Sequence, residues 1–160
     1  IEAFLVEHNV KCLHMVISTL SLDQNNVDSL YNLLDGKYID KLDLIISDYF
    51  YAHERRSLIP YLIDKLDIDN RFQLAVAGSH TKICLIETFG GRKIIISGSA
   101  NLRSSSNIEQ ITIEDQYLHE FYFDYHNQII EKYKLINKSI ERHKSLRGQE
   151  LWNVINPKNK

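Results

Sequence analysis

Ser79-His80-Thr81-Lys82, Ile83-Cys84-Leu85-Ile86-Glu87, Thr88-Phe89-Gly90-Gly91, Lys93-Ile94-Ile95-Ile96-Ser97 and Gly98-Ser99-Ala100-Asn101 decide the fold. Residues 83–86 and 94–96 are short, apolar and β-branched, the pattern of strands. Residues 88–91 between them read as a hairpin turn of about four residues. If Glu87 faces Arg92, pairing backwards sets Lys82 near Ser97 and His80 near Ser99, within one residue. An imidazole, an ammonium, a hydroxyl and a carboxamide then gather at one rim.

That set of groups suits a phosphate. Residues two apart on a strand share a face, so His80 and Lys82 point one way. Ser99 and Asn101 do the same if the backbone stays extended past Gly98. Lysine supplies a compact positive charge, and Asn and Ser supply neutral donors to anionic oxygens. Glycine at 98 lets backbone come close to a ligand. A buried hairpin with polar ends fits the same spacing.

His80-x-Lys82-x4-Glu87 followed by Gly98-Ser99-Ala100-Asn101 resembles the HxKx4D…GSxN signature of the phospholipase D superfamily. Asn107-Ile108-Glu109 resembles the NxE element of its nuclease-like members. The matched stretch is about a fifth of the chain. There are two departures: Glu87 stands where the superfamily has Asp, and the gap from it to Gly98 is longer. At ~3.3 Å per residue, Glu87 lies roughly 17 Å along a strand from Lys82. Its change therefore bears on architecture more than on the reacting phosphorus, and the longer gap reads as an extended hairpin tip.

The resemblance implies a phospholipase D-like α-β-α sandwich: an α/β fold with a mixed, largely parallel central sheet flanked by helices. It implies a metal-independent phosphodiesterase with no cofactor, and no cluster of carboxylates or Cys/His in the sequence has metal-ligand spacing. One His80 would attack phosphorus and form a phosphohistidine, while the partner subunit's His80 donates a proton to the leaving oxygen. Lys82 and Asn101 would hold the anionic oxygens, and Glu109 would hydrogen-bond the far nitrogen of His80. Ser99 would bond a phosphate oxygen or brace its loop. Superfamily chains with two motifs pair them across one site. This chain has one motif and no internal repeat, so the expected assembly is a homodimer with a shared active site.

The 160 residues suit one domain, 1–146, followed by a loose tail, 147–160, with Gly148, Trp152 and Pro157. Hydrophobic residues make up 44% and charged residues 25%, which places the chain among soluble globular proteins. No apolar run approaches the ~20 residues needed to span a bilayer, and no signal peptide is visible. The expectation is a cytoplasmic protein without a membrane segment. The chain opens at Ile1, as a piece of something longer would, so a missing signal weighs little. Cys12 and Cys84 both lie in apolar strand-like runs, as buried thiols of a reducing compartment do; a bridge between them stays open.

The net charge of −2 hides an asymmetry. Residues 132–160 hold eight Lys/Arg against two acids, and residues 1–131 hold eleven against nineteen. Lys132, Lys134, Lys138, Arg142, Lys144 and Arg147 could lie along a phosphate backbone. A solvated helix face with cations near its C-terminal end explains them somewhat better.

From the N-terminus, Phe4 and Leu5 fit a truncated helix. Residues 11–18 read as a buried strand. Asp23, or Asn25 or Asn26, caps a helix running to Leu34 with Val27, Leu30, Leu33 and Leu34 as its stripe, ended by Asp35-Gly36. Residues 42–47 form a second strand, followed by a loop holding Tyr49, Phe50 and Tyr51. A helix over 54–66 carries Pro60 early, where proline is tolerated. Residues 72–77 form a third strand. This βαβ alternation implies a parallel core, to which the hairpin adds antiparallel strands. Residues 108–113 form another strand, with Glu109 on it. A long helix runs from Asp115 to at least Ile136, with Leu118, Phe121, Tyr122, Tyr125, Ile129 and Tyr133 at helical spacing.

His14, inside an apolar strand, reads as a satisfied core histidine. His53, Arg55 and Arg56 follow the second strand, at the end of a parallel sheet where ligands gather, so Arg55 is a candidate substrate contact. Arg103, after the Asn101 block, is another. His119 and His126 show no partner pattern. The resulting function is a phosphodiesterase, with DNA or RNA as the substrate class. A phospholipase D-like nucleic-acid-binding module with weak or no catalysis is the alternative, and a phospholipid hydrolase is a further one.

Overall fold

The computed structural model describes residues 1–102, 109–115 and 117–135. Arg103, Asn107, Ile108, the basic residues from Lys138 onward, Trp152 and the boundary expected at 146/147 lie outside them.

The elements run α1 (Glu2–Glu7), β1 (Cys12–Thr19), α2 (Gln24–Asp35), β2 (Ile39–Ser47), α3 (Asp48–Glu54), α4 (Leu58–Leu66), β3 (Phe72–Ala77), β4 (Ile83–Thr88), β5 (Lys93–Gly98), β6 (Ile111–Asp115) and α5 (His119–Tyr133). The six strands form one sheet in the order β3-β2-β1-β4-β5-β6. β3, β2 and β1 pair in parallel. β4, β5 and β6 are added antiparallel. The sheet is therefore mixed, and its parallel part is the βαβ half of the chain.

The two-residue period of the strands sorts the core into two layers. Met15, Ile17, Leu42, Leu44, Ile46, Phe72, Leu74, Val76, Cys84 and Ile86 face one side, against α1, α2, α3 and α4. Val16, Ile45, Ala75, Ala77, Leu85 and Ile95 face the other, against Ile130 and its neighbours on α5. The α5 side also carries polar groups: His14 and Asp43, on β1 and β2, are both buried. His14 Nε2 lies 2.7 Å from Asp43 Oδ2, and Lys41 Nζ reaches the same oxygen at 3.2 Å. Burial pushes the Asp43 carboxyl up, but the His14 hydrogen bond and charge, with Lys41, outweigh it and hold the pKa below the ordinary value. His14 is thus a partnered core histidine, as its setting implied.

α2 follows its sequence signals closely. The Asp23 side chain accepts from Asn26 N at 3.0 Å, and Asp23 N donates to Asn26 Oδ1 at 2.9 Å, a reciprocal capping box. Val27, Leu30, Leu33 and Leu34 are all buried. β3 would be an open edge, but Leu135 N donates to Leu74 O at 2.8 Å and residue 134 bridges to Ala75. Residues 134 and 135 thus occupy the middle of that edge.

Several expectations are corrected. Tyr49, Phe50 and Tyr51 lie on α3, not in a loop, because Ser47 Oγ accepts from Phe50 N and starts a helix at the strand end. The helix expected over 54–66 begins at Leu58 as α4, because α3 ends at Glu54 and residues 55–57 turn between them; Pro60 stands third in α4. β2 begins at Ile39, three residues early. β6 begins at Ile111, so Glu109 lies ahead of the strand. α5 begins at His119 rather than at Asp115 and ends at Tyr133, short of the expected Ile136, because Lys134 is already extended. The two cysteines are free and buried.

Candidate active site

The carboxyl ends of β1, β2 and β3 lie together: Thr19 pairs with Ile46, and Ser47 with Ala77. β4 starts at the same edge, with Ile83 opposite Ser18, and β5 ends there, with Ser97 opposite Ile83. The sequence register set Glu87 against Arg92; the observed partner is Lys93, a shift of one residue within the stated margin. At the far end of the sheet, Glu87 stands opposite both His14 and Lys93. That separates it from the rim, so its departure from Asp touches the framework.

β3 is one edge of the sheet and β4 lies beyond β2 and β1, so residues 78–82 must cross the ends of both strands. A chain of hydroxyls pins this crossing. Ser18 Oγ and Thr81 Oγ1 are 2.6 Å apart, and Thr81 Oγ1 lies 2.8 Å from Ser79 Oγ. Thr81 N donates to Ser79 Oγ at 3.2 Å. With its neighbours tied down, His80 is left exposed at the rim. Among the described residues its ring makes no hydrogen bond. His80 and Lys82 sit on this loop, not on a strand, and Lys82 Nζ donates to His80 O at 3.3 Å.

Two adjoining clefts open along α5, of about 520 Å³ and 470 Å³, and His80, Thr81 and Tyr125 line both. The first is also walled by Lys82, Ser97, Gly98, Phe121, Tyr122 and His126. The second is walled by Gly78, Gln128, Lys132 and Tyr133 among others. They form one groove with His80 at its middle. A third cavity of about 340 Å³ lies behind the rim, between the β1 and β5 ends and α2. Lys82 and Asn101 both line it, and Asn101 Oδ1 is buried there with no hydrogen-bond partner among the described residues. Lys82 therefore stands between the His80 groove and the Asn101 cavity.

Ser99 and Glu109 meet one another. Ser99 Oγ donates to Glu109 Oε2 at 2.5 Å and accepts from Gln110 N at 3.0 Å. Of the two roles open to Ser99, bracing the loop is the one its contacts fill. The carboxylate of Glu109 is engaged by Ser99, not by His80. Gly98 has a different role from the one its sequence position suggested. A Cβ there would stand 2.1 Å from Gln110 O and 3.2 Å from Ile111 Cα. The glycine admits a neighbouring strand of the same chain rather than a ligand. Thr19 Oγ1 accepts from Leu102 N at 3.2 Å and ties the Asn101 segment to the end of β1. Arg55 ends α3 near Tyr51 and lines neither cleft that His80 lines. His53 Nδ1 is bonded to Tyr49 O at 2.8 Å on the same helix.

Sequence reasoning missed the α5 wall. His126 is buried and lines the groove; its Nδ1 donates to Tyr122 O at 2.6 Å, and its Nε2 has no partner among the described residues. Burial holds its pKa below the ordinary histidine value. His119 is held down as well, by burial first and then by the nearby Lys93 ammonium. The available signal was the spacing of His119, Phe123, His126 and Ile130, one helix face with histidine where a hydrophobe is usual. Among the described residues, no three His, Cys, Asp or Glu side chains gather as a metal would require, and no helix is long and apolar enough to cross a membrane.

No protein-family model matches the sequence, and no curated protein matches it. Solved structures do. Nuc from Salmonella typhimurium, a phospholipase D family member, superposes with a TM-score of 0.56 at 12% identity, covering 74% of this chain and 78% of that one. Polyphosphate kinase from Porphyromonas gingivalis matches at a TM-score of 0.48 and 18% identity, over 98% of this chain and 25% of that one. With its mixed six-stranded sheet between two helical layers, and with His80 and Lys82 on the loop that crosses the strand ends, the chain has the phospholipase D-like fold.

Proposed function

We propose that the chain is a phosphodiesterase of the phospholipase D superfamily, a nuclease acting on DNA or RNA as a symmetric homodimer. The observation that carries this reading is an exposed His80 beside Lys82, on a loop braced at Ser18, at the middle of an open groove in a phospholipase D-like fold. A residue held by its neighbours but unbonded at its own ring is free to react. Within one chain, the His80 ring makes no hydrogen bond to a second histidine or to a carboxylate among the described residues. A twofold axis at the rim would supply one.

The chemistry then has two balanced steps. A neutral His80 nitrogen attacks phosphorus; the N–P bond forms as the bond to the leaving oxygen breaks. The imidazolium of the partner subunit's His80 gives that oxygen its proton. In the second step the same, now neutral, imidazole takes a proton from water. The hydroxyl displaces the histidine, breaking the N–P bond. General acid help contributes ~10²–10⁴ in rate, and splitting the displacement lowers each barrier further. Lys82 neutralises the anionic oxygens as charge shifts. Asn101 reaches them from the cavity behind the rim, with its carboxamide N–H as the donor. Glu109 acts through Ser99 to hold the rim, with Oε2 engaged by the Ser99 hydroxyl. No step requires a metal. Arg103 would contact the substrate backbone beyond Asn101.

The test is hydrolysis of plasmid DNA and of bis(4-nitrophenyl) phosphate with chelator present, alongside sedimentation of the same sample. Turnover by a dimer, abolished in His80→Ala, supports the reading. A strict monomer, or turnover indifferent to His80→Ala, would end it. Nucleic-acid binding with no turnover would instead make the chain a binding module.

A further inference from the structure

We propose that the groove beside His80 takes unpaired nucleotides, with bases stacked on Tyr125 and Phe121 and one nucleoside donating a hydrogen bond to His126 Nε2. This deepens the nuclease reading and rests on it. Tyr125 lines both halves of the groove and is 50% exposed; Phe121 lines the half that holds Lys82 and is 66% exposed. Both rings stand on the wall facing His80, while the inner face of α5 is filled by other residues. A duplex hides the faces of its bases in its own stack. An unpaired strand offers them, and stacking on aromatic rings tolerates any base. At the far end of the groove Lys132 Nζ lies 5.1 Å from the centre of the Tyr133 ring, a cation placed for the strand's backbone.

His126 points to a ligand independently of the aromatics. It is 1% exposed and lines the groove. Its Nδ1 lies 2.6 Å from a carbonyl oxygen, so Nδ1 carries the proton and Nε2 of the neutral ring is an acceptor. That acceptor is buried and unpartnered among the described residues. A base N–H or a ribose 2′-hydroxyl entering the groove would be the donor that this acceptor lacks.

The experiment is fluorescence anisotropy of a labelled 12-mer on His80→Ala protein, which leaves the ligand intact. The ligands are the single strand as DNA and as RNA, its duplex, and an abasic strand of equal charge. We expect the base-bearing strands to bind at least tenfold tighter than the duplex and the abasic strand. Tyr125→Ala and Phe121→Ala should each weaken base-bearing strands about tenfold, within the ~5–150-fold that stacking supplies, and leave the abasic strand within twofold. His126→Phe keeps the volume, removes the acceptor and should weaken the same strands. A loss confined to RNA assigns the donor to the 2′-hydroxyl, and an equal loss on DNA assigns it to the base. Equal binding of abasic and base-bearing strands overturns the proposal. So does a silent Tyr125→Ala, or a Tyr125→Ala that splits a dimer, which would assign this face to the subunit interface. The phosphodiesterase reading fails separately, if unaltered protein hydrolyses no diester; binding stays measurable either way.

Discussion

Replacing Gly98 by alanine should destabilise the protein through one identifiable clash. The added Cβ would stand 2.1 Å from Gln110 O and 3.1 Å from Gln110 C, both backbone atoms of the neighbouring strand segment. No side-chain rotamer can relieve that, so the β5–β6 separation must open by about an ångström at this point. The same Gln110 carbonyl accepts Ser99 N at 3.0 Å, and Gly98 pairs with Ile111. The shift therefore strains one hydrogen bond and the start of a ladder. Overpacking costs about 1–3 kcal/mol, and a weakened hydrogen bond between exposed residues adds about 0.5. In a domain of this size each kcal/mol moves Tm by about 2–4 °C, so a fall of about 3–14 °C is expected by calorimetry. Gly90→Ala is the control. Its Cβ would meet only Thr88 Oγ1, at 3.8 Å, and the change should stay within ~0.5 kcal/mol. A Gly98→Ala protein melting within 1 °C of its parent would refute the close approach, and with it the geometry that sets Ser99 against Glu109.

Three other outcomes are expected. Asp43→Asn removes one partner of a buried pair and should lower stability by about 3 kcal/mol, the low end of the usual range because Lys41 keeps its access to water. The folded pKa of Asp43 is depressed, so its contribution is full well above the ordinary value of 3.8 and is lost as pH falls through the lower folded value; acid denaturation curves of the parent should steepen below pH 4 relative to Asp43→Asn. Asp23→Ala loses the capping box of α2 and should cost about 1 kcal/mol, with an unchanged urea m-value. Burial pushes Cys12 up to about 11 and Cys84 up to about 12, the latter also by the Cys12 thiolate. At pH 8 the native protein should leave a thiol-disulfide reagent unconsumed, and both thiols should react on unfolding.

How much of this was legible in the sequence depended on how local the signal was. β3 and the buried stripe of α2 are as their patterns implied, since a six-residue apolar run and a capped 3.6-residue period each report their own burial. The hairpin register came within one residue because turn length fixes pairing. The helix α3 was hidden because Tyr49, Phe50 and Tyr51 are consecutive aromatics with no helical period. Its start depends on Ser47 acting at once as the last strand residue and as a cap. Gly98 was assigned a ligand, since a sequence does not say which backbone approaches. Lys82 and Asn101 were expected in one place, and the structure assigns them a common cavity that His80 does not line.

α5 shows why the site itself was only half legible. Two overlapping stripes run along it. Phe121 and Tyr125 belong to the one that hydropathy selects, and both are exposed. His119, His126 and Ile130 belong to the one that is buried, with Tyr122, Phe123, Ile129 and Tyr133 packed at its margin. The inner stripe turns toward a sheet face that is itself part polar: His14 lies edge-on to Phe123, His119 stacks on the same ring, and Asp43 lies beneath. Histidines match such a face, because a neutral imidazole can bond a carbonyl with one nitrogen and still fill an apolar volume. A hydropathy count scores them as surface. Once they occupy the inside, the large aromatics of the other stripe are surplus to folding. Surplus aromatic area held beside an unbonded His80, along a groove that also holds an unmet acceptor, is better explained by what the protein binds than by what keeps it folded.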